Sequence, residues 1–254
     1  MQLTPVTFLI VCPLLFLAGL VDSIGGGGGL ISLPAYLFAG LPVHMAIATN
    51  KLSSTCGTAL ATGRFIRRGL VDFRLAVPSV ITAILGASIG ARLSLGVSEE
   101  IMKYILFAVL PVAAFFVLNR RLFRDEGKHA AAADKKTMLV CIVSALIIGL
   151  YDGFYGPGTG TFLILLLTAF AHFRLGEANG VAKSINLTTN LTSLAVYLMN
   201  GKVILLLGFF GGLFGIIGNY IGVTFFEKKG AKAVRPLMII VLVIFFIRIL
   251  TEIL

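Results

Sequence analysis

The sequence is short of the residues on which most enzyme and metal sites depend. Cys12, Cys56 and Cys141 stand singly, without CxxC spacing, and the three histidines are equally scattered. Single cysteines in apolar surroundings favour small buried side chains over a disulfide or a metal site. No haem motif and no nucleophile–base set can be assembled from such residues. The sequence therefore predicts no cofactor, no metal and no enzymatic activity.

Charged residues are also scarce. They form 13% of the 254 residues against 58% hydrophobic residues, and several apolar runs are long enough to cross a bilayer. Residues 1–5 lack the basic region of a signal peptide, so the first run is predicted to be a retained span. The net charge of +10 is better explained by membrane topology than by nucleic acid, since no RNA- or DNA-binding module is visible. The chain is predicted to be an all-α, multi-pass membrane protein.

Glycine is abundant where the apolar runs are interrupted. Residues 22–29 read Asp-Ser-Ile-Gly-Gly-Gly-Gly-Gly, and residues 152–160 read Asp-Gly-Phe-Tyr-Gly-Pro-Gly-Thr-Gly. Inside a helix each glycine costs about 1 kcal/mol relative to alanine, and a proline costs about 3 kcal/mol. Neither stretch can therefore continue the helix before it. The segment 30–39 that follows the first break spans only about 15 Å, half of the hydrocarbon thickness.

The chain divides into two similar halves. Residues 120–136 form the only extended polar connection and are predicted to be a cytoplasmic linker between two membrane repeats, 1–119 and 137–254. The predicted membrane segments are 6–24, 30–39, 45–66, 73–96 and 101–119, then 137–152, 160–171, 177–199, 203–226 and 233–254.

Several residues recur in the second half at a fixed distance from the first. At an offset of 132, Lys51 matches Lys183, Gly69 matches Gly201, Val71 matches Val203, Gly86 matches Gly218 and Gly90 matches Gly222. The offset is 131 for Gly25, Gly27 and Gly29 against Gly156, Gly158 and Gly160, and 130 for Asp22 against Asp152. Ordered matches of this kind indicate an internal repeat.

The distribution of basic residues predicts how the two halves are oriented. With five elements in each half, 15 Lys and Arg lie in cytoplasmic loops and 3 lie outside. With four elements the division is 11 against 7, so the positive-inside rule favours five. An odd number places the second half upside down. We therefore predict inverted-topology repeats with both termini outside.

Lys51 and Lys183 are the most informative side chains because each stands inside a long apolar segment. A lysine at the centre of a bilayer helix costs about 2.5–3.5 kcal/mol unless it meets water, an anion or a carboxylate. Snorkelling to the nearer interface is the alternative. Polar residues share a helix face with these lysines, namely Asn186, Asn190 and Ser193 with Lys183, and Ser54, Thr55 and Thr58 with Lys51, beside Asn50. Such stripes line a site, join helices by hydrogen bonds, or do both.

The breaks and the lysines together predict an anion site. The half-helix after each break presents unpaired N–H groups and partial positive charge at its start, and glycine permits close approach. The predicted substrate-binding residues are Gly25, Gly26, Gly27, Gly28, Gly29, Asn50, Lys51, Gly156, Gly158, Thr159, Gly160, Lys183, Asn186 and Asn190. Asp22 and Asp152, just before the breaks, could neutralise the lysines, carry a coupled proton, or cap exposed N–H groups.

These motifs resemble the TauE/SafE family of sulfite exporters. The resemblance lies in Asp22 to Ile31 before Pro34, Thr49-Asn50-Lys51, Gly69 to Asp72, Asp152 to Thr161, and Ala182-Lys183 followed by Asn186 and Asn190. It covers nearly the whole chain. The resemblance implies a carrier in the plasma membrane, the inner membrane of a bacterium, for sulfite, thiosulfate, sulfoacetate or other organosulfonates.

The sequence thus predicts a transporter that moves a small anion by alternating access. Its expected partners are the anion, the lipid bilayer and a coupled proton or other ion, with no nucleic acid. The alternatives are an anion channel of the same architecture and a carrier for a non-sulfur organic anion.

Overall fold

Nine helices follow one another in the described part of the chain, and no strand occurs there. The computed structural model describes residues 3–25, 27–119 and 134–229. The helices are α1 (Pro5–Gly25), α2 (Gly29–Phe38), α3 (Val43–Arg67), α4 (Phe73–Gly96), α5 (Glu99–Leu118), α6 (Lys135–Phe154), α7 (Thr159–Phe170), α8 (Leu175–Met199) and α9 (Leu205–Lys229). The predicted all-α fold is confirmed. The predicted segment 233–254 and residues 120–133 of the predicted linker lie outside the described residues.

Local capping fixes where the helices begin and end. The side chains of Asp72, Ser98 and Asp134 each accept a backbone N–H from the first turn of α4, α5 and α6. Such caps satisfy donors that have no partner within the helix. After α3 and α8 the chain reverses at Gly69 and Gly201, which have φ values of 68° and 63°. The two matched glycines therefore end the two matched helices in the same way.

The most apolar helices differ from the two polar ones in their place in the fold. Within the described residues, four stretches are long and apolar enough to cross a membrane, namely Pro5–Ser23, Phe73–Gly96, Lys135–Phe154 and Leu205–Gly222. α2 and α7 are shorter apolar helices. α3 and α8 carry the polar stripes and pack against each other. α9 packs against α3 and α4 packs against α8, so an apolar helix covers one side of each polar helix.

Close glycine contacts hold the apolar helices together in two equivalent pairs. α1 packs against α9, and α4 packs against α6. A Cβ added to Gly90 would collide with the carbonyl oxygen of Leu150, and one added to Gly218 would collide with that of Phe16. α6 and α9 match α1 and α4 in the repeat, so the same pairing occurs twice. The inverted orientation of the halves stays a prediction.

Candidate functional site

Both glycine stretches interrupt the helices, as the sequence predicts. α1 ends at Gly25 and α2 begins at Gly29, while Gly26 between them lies outside the described residues. In the second stretch Gly156 and Gly158 have φ values of 105° and 88°. A residue with a Cβ is strained in this left-handed region, so glycine is required at both positions.

The two breaks lie against each other. A Cβ on Gly29 would stand 3.0 Å from Pro157 Cα and 3.7 Å from the backbone nitrogen of Gly158. Gly28 and Gly158 are the N-cap residues of α2 and α7, and neither supplies a side-chain cap. Part of each first turn is paired locally, since Leu30 and Ile31 donate to the carbonyl oxygens of Gly27 and Gly28, and Thr159 donates to that of Gly156. Two positive helix ends meet at the breaks.

Each lysine forms an ion pair with the aspartate of the other half. Lys51 Nζ of α3 lies 2.9 Å from Asp152 Oδ2 of α6. Lys183 Nζ of α8 lies 2.5 Å from Asp22 Oδ2 of α1, and it also donates to the Asp22 carbonyl oxygen at 3.1 Å. Each lysine side chain is only 2% exposed. Snorkelling to an interface is therefore wrong for both, since the ammonium groups end on buried carboxylates.

Asp152 and Asp22 differ in their surroundings. The Asp152 side chain is 2% exposed and accepts the Thr159 hydroxyl at 2.6 Å, whereas the Asp22 side chain is 16% exposed. Neither caps the helix start after its break, because the N-cap positions are Gly28 and Gly158. The aspartates therefore act as counter-ions in this structure. Asp152 is the more enclosed of the two.

A cleft that is partly open to solvent lies beside the Lys51 pair. Of the predicted site residues it is lined by Gly28, Gly29, Asn50, Lys51, Gly156, Gly158, Thr159, Gly160, Asn186 and Asn190, together with Asp22 and Asp152. Gly27 and Lys183 are not part of its lining. Its other polar side chains are Ser32, Ser53, Ser54, Thr58 and Asn219. Most of the predicted residues are thus brought together on one side of the breaks.

Three polar residues that line the cleft have apolar counterparts in the repeat. By the repeat offsets, Ser32, Asn50 and Ser53 correspond to Leu163, Ala182 and Ile185. These three counterparts are fully or almost fully buried and belong to one hydrophobic cluster. At these three positions the first half contributes polar side chains to the cleft, whereas the second half packs apolar side chains into its core.

Polar residues of α3 and α8 line the cleft, and other polar residues of these helices join neighbouring elements by hydrogen bonds. Asn190 Nδ2 donates to Asn186 Oδ1 at 3.1 Å, and both amides line the cleft. The Thr62 hydroxyl of α3 donates to the Lys183 carbonyl oxygen of α8 at 3.0 Å. The Thr49 hydroxyl accepts the Ile204 N–H just before α9. Both functions left open by the sequence occur along the same two helices.

Comparison with known proteins shows to which family the chain belongs. The family model described as sulfite exporter TauE/SafE matches residues 11–249. The chain belongs to the sulfite exporter TauE/SafE family. It is 35% identical to the probable membrane transporter protein ORF9 of a Sinorhizobium species, over 93% of this chain and 90% of that protein. It is 33% identical to a probable membrane transporter protein of Haemophilus influenzae and to YfcA of Escherichia coli K12, over 89% of this chain and 87% and 82% of those proteins. No solved structure is significantly similar.

The protein is therefore a membrane transporter of this family, and its cleft contains three polar residues that the sequence analysis missed, namely Ser32, Ser53 and Asn219. Asn219 lies in α9, whose hydropathy gives no sign of a site. The signal available in the sequence was a departure from the repeat, because Ala87 stands at the corresponding position of α4. Ser32 departs from the repeat in the same way.

Proposed function

We propose that this transporter is a secondary carrier that binds a small anion at Lys51 and moves it by alternating access. The observation that carries the proposal is a lysine only 2% exposed, beside a polar cleft and next to the starts of two half-helices. A buried cation needs a negative partner, and Asp152 supplies it in this structure. An anion can take the place of that carboxylate and accept from the first N–H groups of α2 and α7.

Charge balance supports coupling to a second ion. When an anion replaces Asp152 at Lys51, the released carboxylate adds a buried negative charge, which is costly unless it is neutralised. Binding a proton at Asp152 removes that charge. Asp22 is the second candidate because its side chain reaches the cleft. A different coupling cation is the alternative, and it would enter the cleft with the anion.

The unequal surroundings of the two lysines support alternating access. In inverted-repeat carriers, the two halves exchange conformations and open the central site to opposite sides in turn. The cleft beside Lys51 corresponds to the open side, and the buried apolar packing of Leu163 and Ile185, the counterparts of Ser32 and Ser53, corresponds to the closed side. We infer that the exchange opens the Lys183 side and that both chain termini lie outside.

The substrate class rests on the family and on the donors in the cleft. Sulfite, thiosulfate and organosulfonates present several acceptor oxygens, and the cleft offers an ammonium group, backbone N–H groups and amides. Among the described residues, the lining of the cleft has no arginine for bidentate binding. A small carboxylate or another non-sulfur anion fits the same donors. It is therefore the alternative substrate.

Binding is tested with a variant that removes the cation and its counter-ion together. In Lys51→Gln/Asp152→Asn no unpaired charge is left in the interior, so loss of binding is not a consequence of unfolding. Sulfite, thiosulfate, ethanesulfonate, sulfate and acetate are titrated against purified protein, and the melting temperature is followed. Wild type and the exposed control Lys103→Gln should be stabilised by the same anion. Unchanged stabilisation of the double variant would refute the site.

Flux measurements separate the carrier from an anion channel. A carrier reconstituted into liposomes exchanges labelled anion at a rate that saturates with anion concentration. Its flux also responds to a gradient of the coupling ion. A channel gives currents that follow the anion gradient alone. Currents without counter-flow or coupling would establish the channel.

A further inference from the structure

Asn219 is a buried amide for which the described part of the protein offers no hydrogen-bond partner. It is 1% exposed and lines the cleft, and both its Nδ2 and its Oδ1 are unpaired there. Buried amides almost always have partners, since an unpaired donor or acceptor is costly. An exception inside a proposed binding site indicates that a ligand supplies the partner.

The fold does not need an amide at this position. Ala87, the repeat counterpart of Asn219, is fully buried where α4 packs against α6. Asn219 occupies the equivalent place where α9 packs against α1, and its backbone nitrogen would lie 3.0 Å from a Cβ on Gly19. An alanine is therefore sufficient for this type of helix contact. The amide therefore adds a hydrogen-bond donor and an acceptor to the cleft.

Asn50 repeats this pattern on the α3 side of the cleft. Its Oδ1 is buried and has no partner among the described residues, and Ala182 is its repeat counterpart. The unpaired groups of the cleft therefore include two amide oxygens, on Asn50 and Asn219, which only accept hydrogen bonds. An anion that only accepts can satisfy Lys51 and the helix starts, but it cannot satisfy these oxygens.

We propose that Asn219, together with Asn50, binds a hydrogen-bond donor carried by the transported anion. The substrate class is then a small anion with a hydroxyl group in addition to its anionic head, such as a hydroxyalkanesulfonate. The head binds at Lys51 and the half-helix starts, and the hydroxyl donates to an amide oxygen. Asn219 is a specificity-determining residue in this arrangement. The inference rests on the anion site proposed above.

The test compares two sulfonates that differ in one hydroxyl group. Wild type should bind 2-hydroxyethanesulfonate roughly 2- to 12-fold more tightly than ethanesulfonate, the range of one net hydrogen bond. Asn219→Ala should bind both with nearly equal affinity. Asn200→Ala, which changes an exposed asparagine at the end of α8, should keep the wild-type preference.

A second measurement does not depend on binding. Removing an unpaired buried amide should raise the melting temperature of ligand-free Asn219→Ala, because the cost of desolvating the amide disappears. A lower melting temperature would mean that the amide serves the fold, and it would overturn the inference. A wild-type preference retained in Asn219→Ala, or absent from wild type, would overturn it as well.

The outcomes also separate this inference from the anion site. If both sulfonates bind equally to wild type and neither binds Lys51→Gln/Asp152→Asn, the anion site stands and the role of Asn219 is refuted. If neither sulfonate binds wild type, the sulfonate site and the inference fail together.

Discussion

The Lys51–Asp152 pair gives a quantitative prediction about the stability of the protein. Both side chains are 2% exposed and their charged atoms are 2.9 Å apart. Lys51→Gln leaves the carboxylate without a cation, and Asp152→Asn leaves the ammonium without an anion. The double variant leaves a neutral pair of similar size. The three variants together form a double-mutant cycle that measures the coupling between the two charges.

The expected loss is large for either single variant. Removing one partner of a buried ion pair costs about 3–5 kcal/mol. Protonating the carboxyl group instead sets an upper limit, because an aspartate of reference pKa about 3.9 needs about 4 kcal/mol to be protonated at pH 7. We therefore expect Lys51→Gln to lose about 3–4 kcal/mol. At about 2–4 °C for each kcal/mol, its melting temperature falls by about 6–16 °C.

Circular dichroism provides the assay, since the described part of the protein is helical. Melting curves of wild type and the three variants are recorded at pH 7. Losses below about 1 kcal/mol in both single variants, adding up in the double variant, would refute the buried pair. The Lys183–Asp22 pair should give smaller losses, because water reaches the Asp22 side chain, which is 16% exposed.

Two further predictions concern the glycine break and the start of α3. Gly156→Ala should lower stability by about 1–3 kcal/mol and weaken anion binding, because φ is 105° and the new Cβ would stand 2.9 Å from Lys51 Nζ. The control Gly63→Ala, at a helical site with open space, should be unchanged or about 1 kcal/mol more stable in the same melts. Glu99→Gln should cost about 1 kcal/mol, because this half-exposed carboxylate accepts the first backbone N–H of α3 at 2.7 Å. The neighbouring exposed Glu100→Gln should change the melting temperature little, and equal losses in both would contradict the capping role of Glu99.

The helices were predictable because the apolar runs coincide with them, and their ends were less so. The segment 73–96 agrees with α4 residue for residue. α6 begins at Lys135, two residues before its predicted start and inside the predicted linker, because Asp134 caps it. α5 begins at Glu99 rather than residue 101 because Ser98 is its cap. Hydropathy predicts which segments are apolar, whereas polar capping side chains set the residue at which a helix begins.

The partners of the lysines depend on tertiary structure. Because the repeat gives each half one lysine and one aspartate, pairing within a half and pairing between halves are equally consistent with the sequence. The structure selects pairing between halves for Lys51 with Asp152 and for Lys183 with Asp22. Likewise, Glu99 of α5 caps α3 from 56 residues away, which no local motif can reveal.

The repeat also explains why the sequence could not predict which of the two lysines lines the cleft. Lys51 and Lys183 occupy matched positions, yet only Lys51 lines the cleft, and the difference comes from their neighbours. Ser32 and Ser53 line the cleft with Lys51, whereas their repeat counterparts Leu163 and Ile185 belong to a buried apolar cluster. If the halves exchange conformations during transport, the opened space beside Lys183 is lined by these apolar side chains and by no counterpart of Asn219. An anion that carries a hydroxyl group would then lose its second contact on that side, so the loaded carrier should hold its substrate less tightly there than beside Lys51.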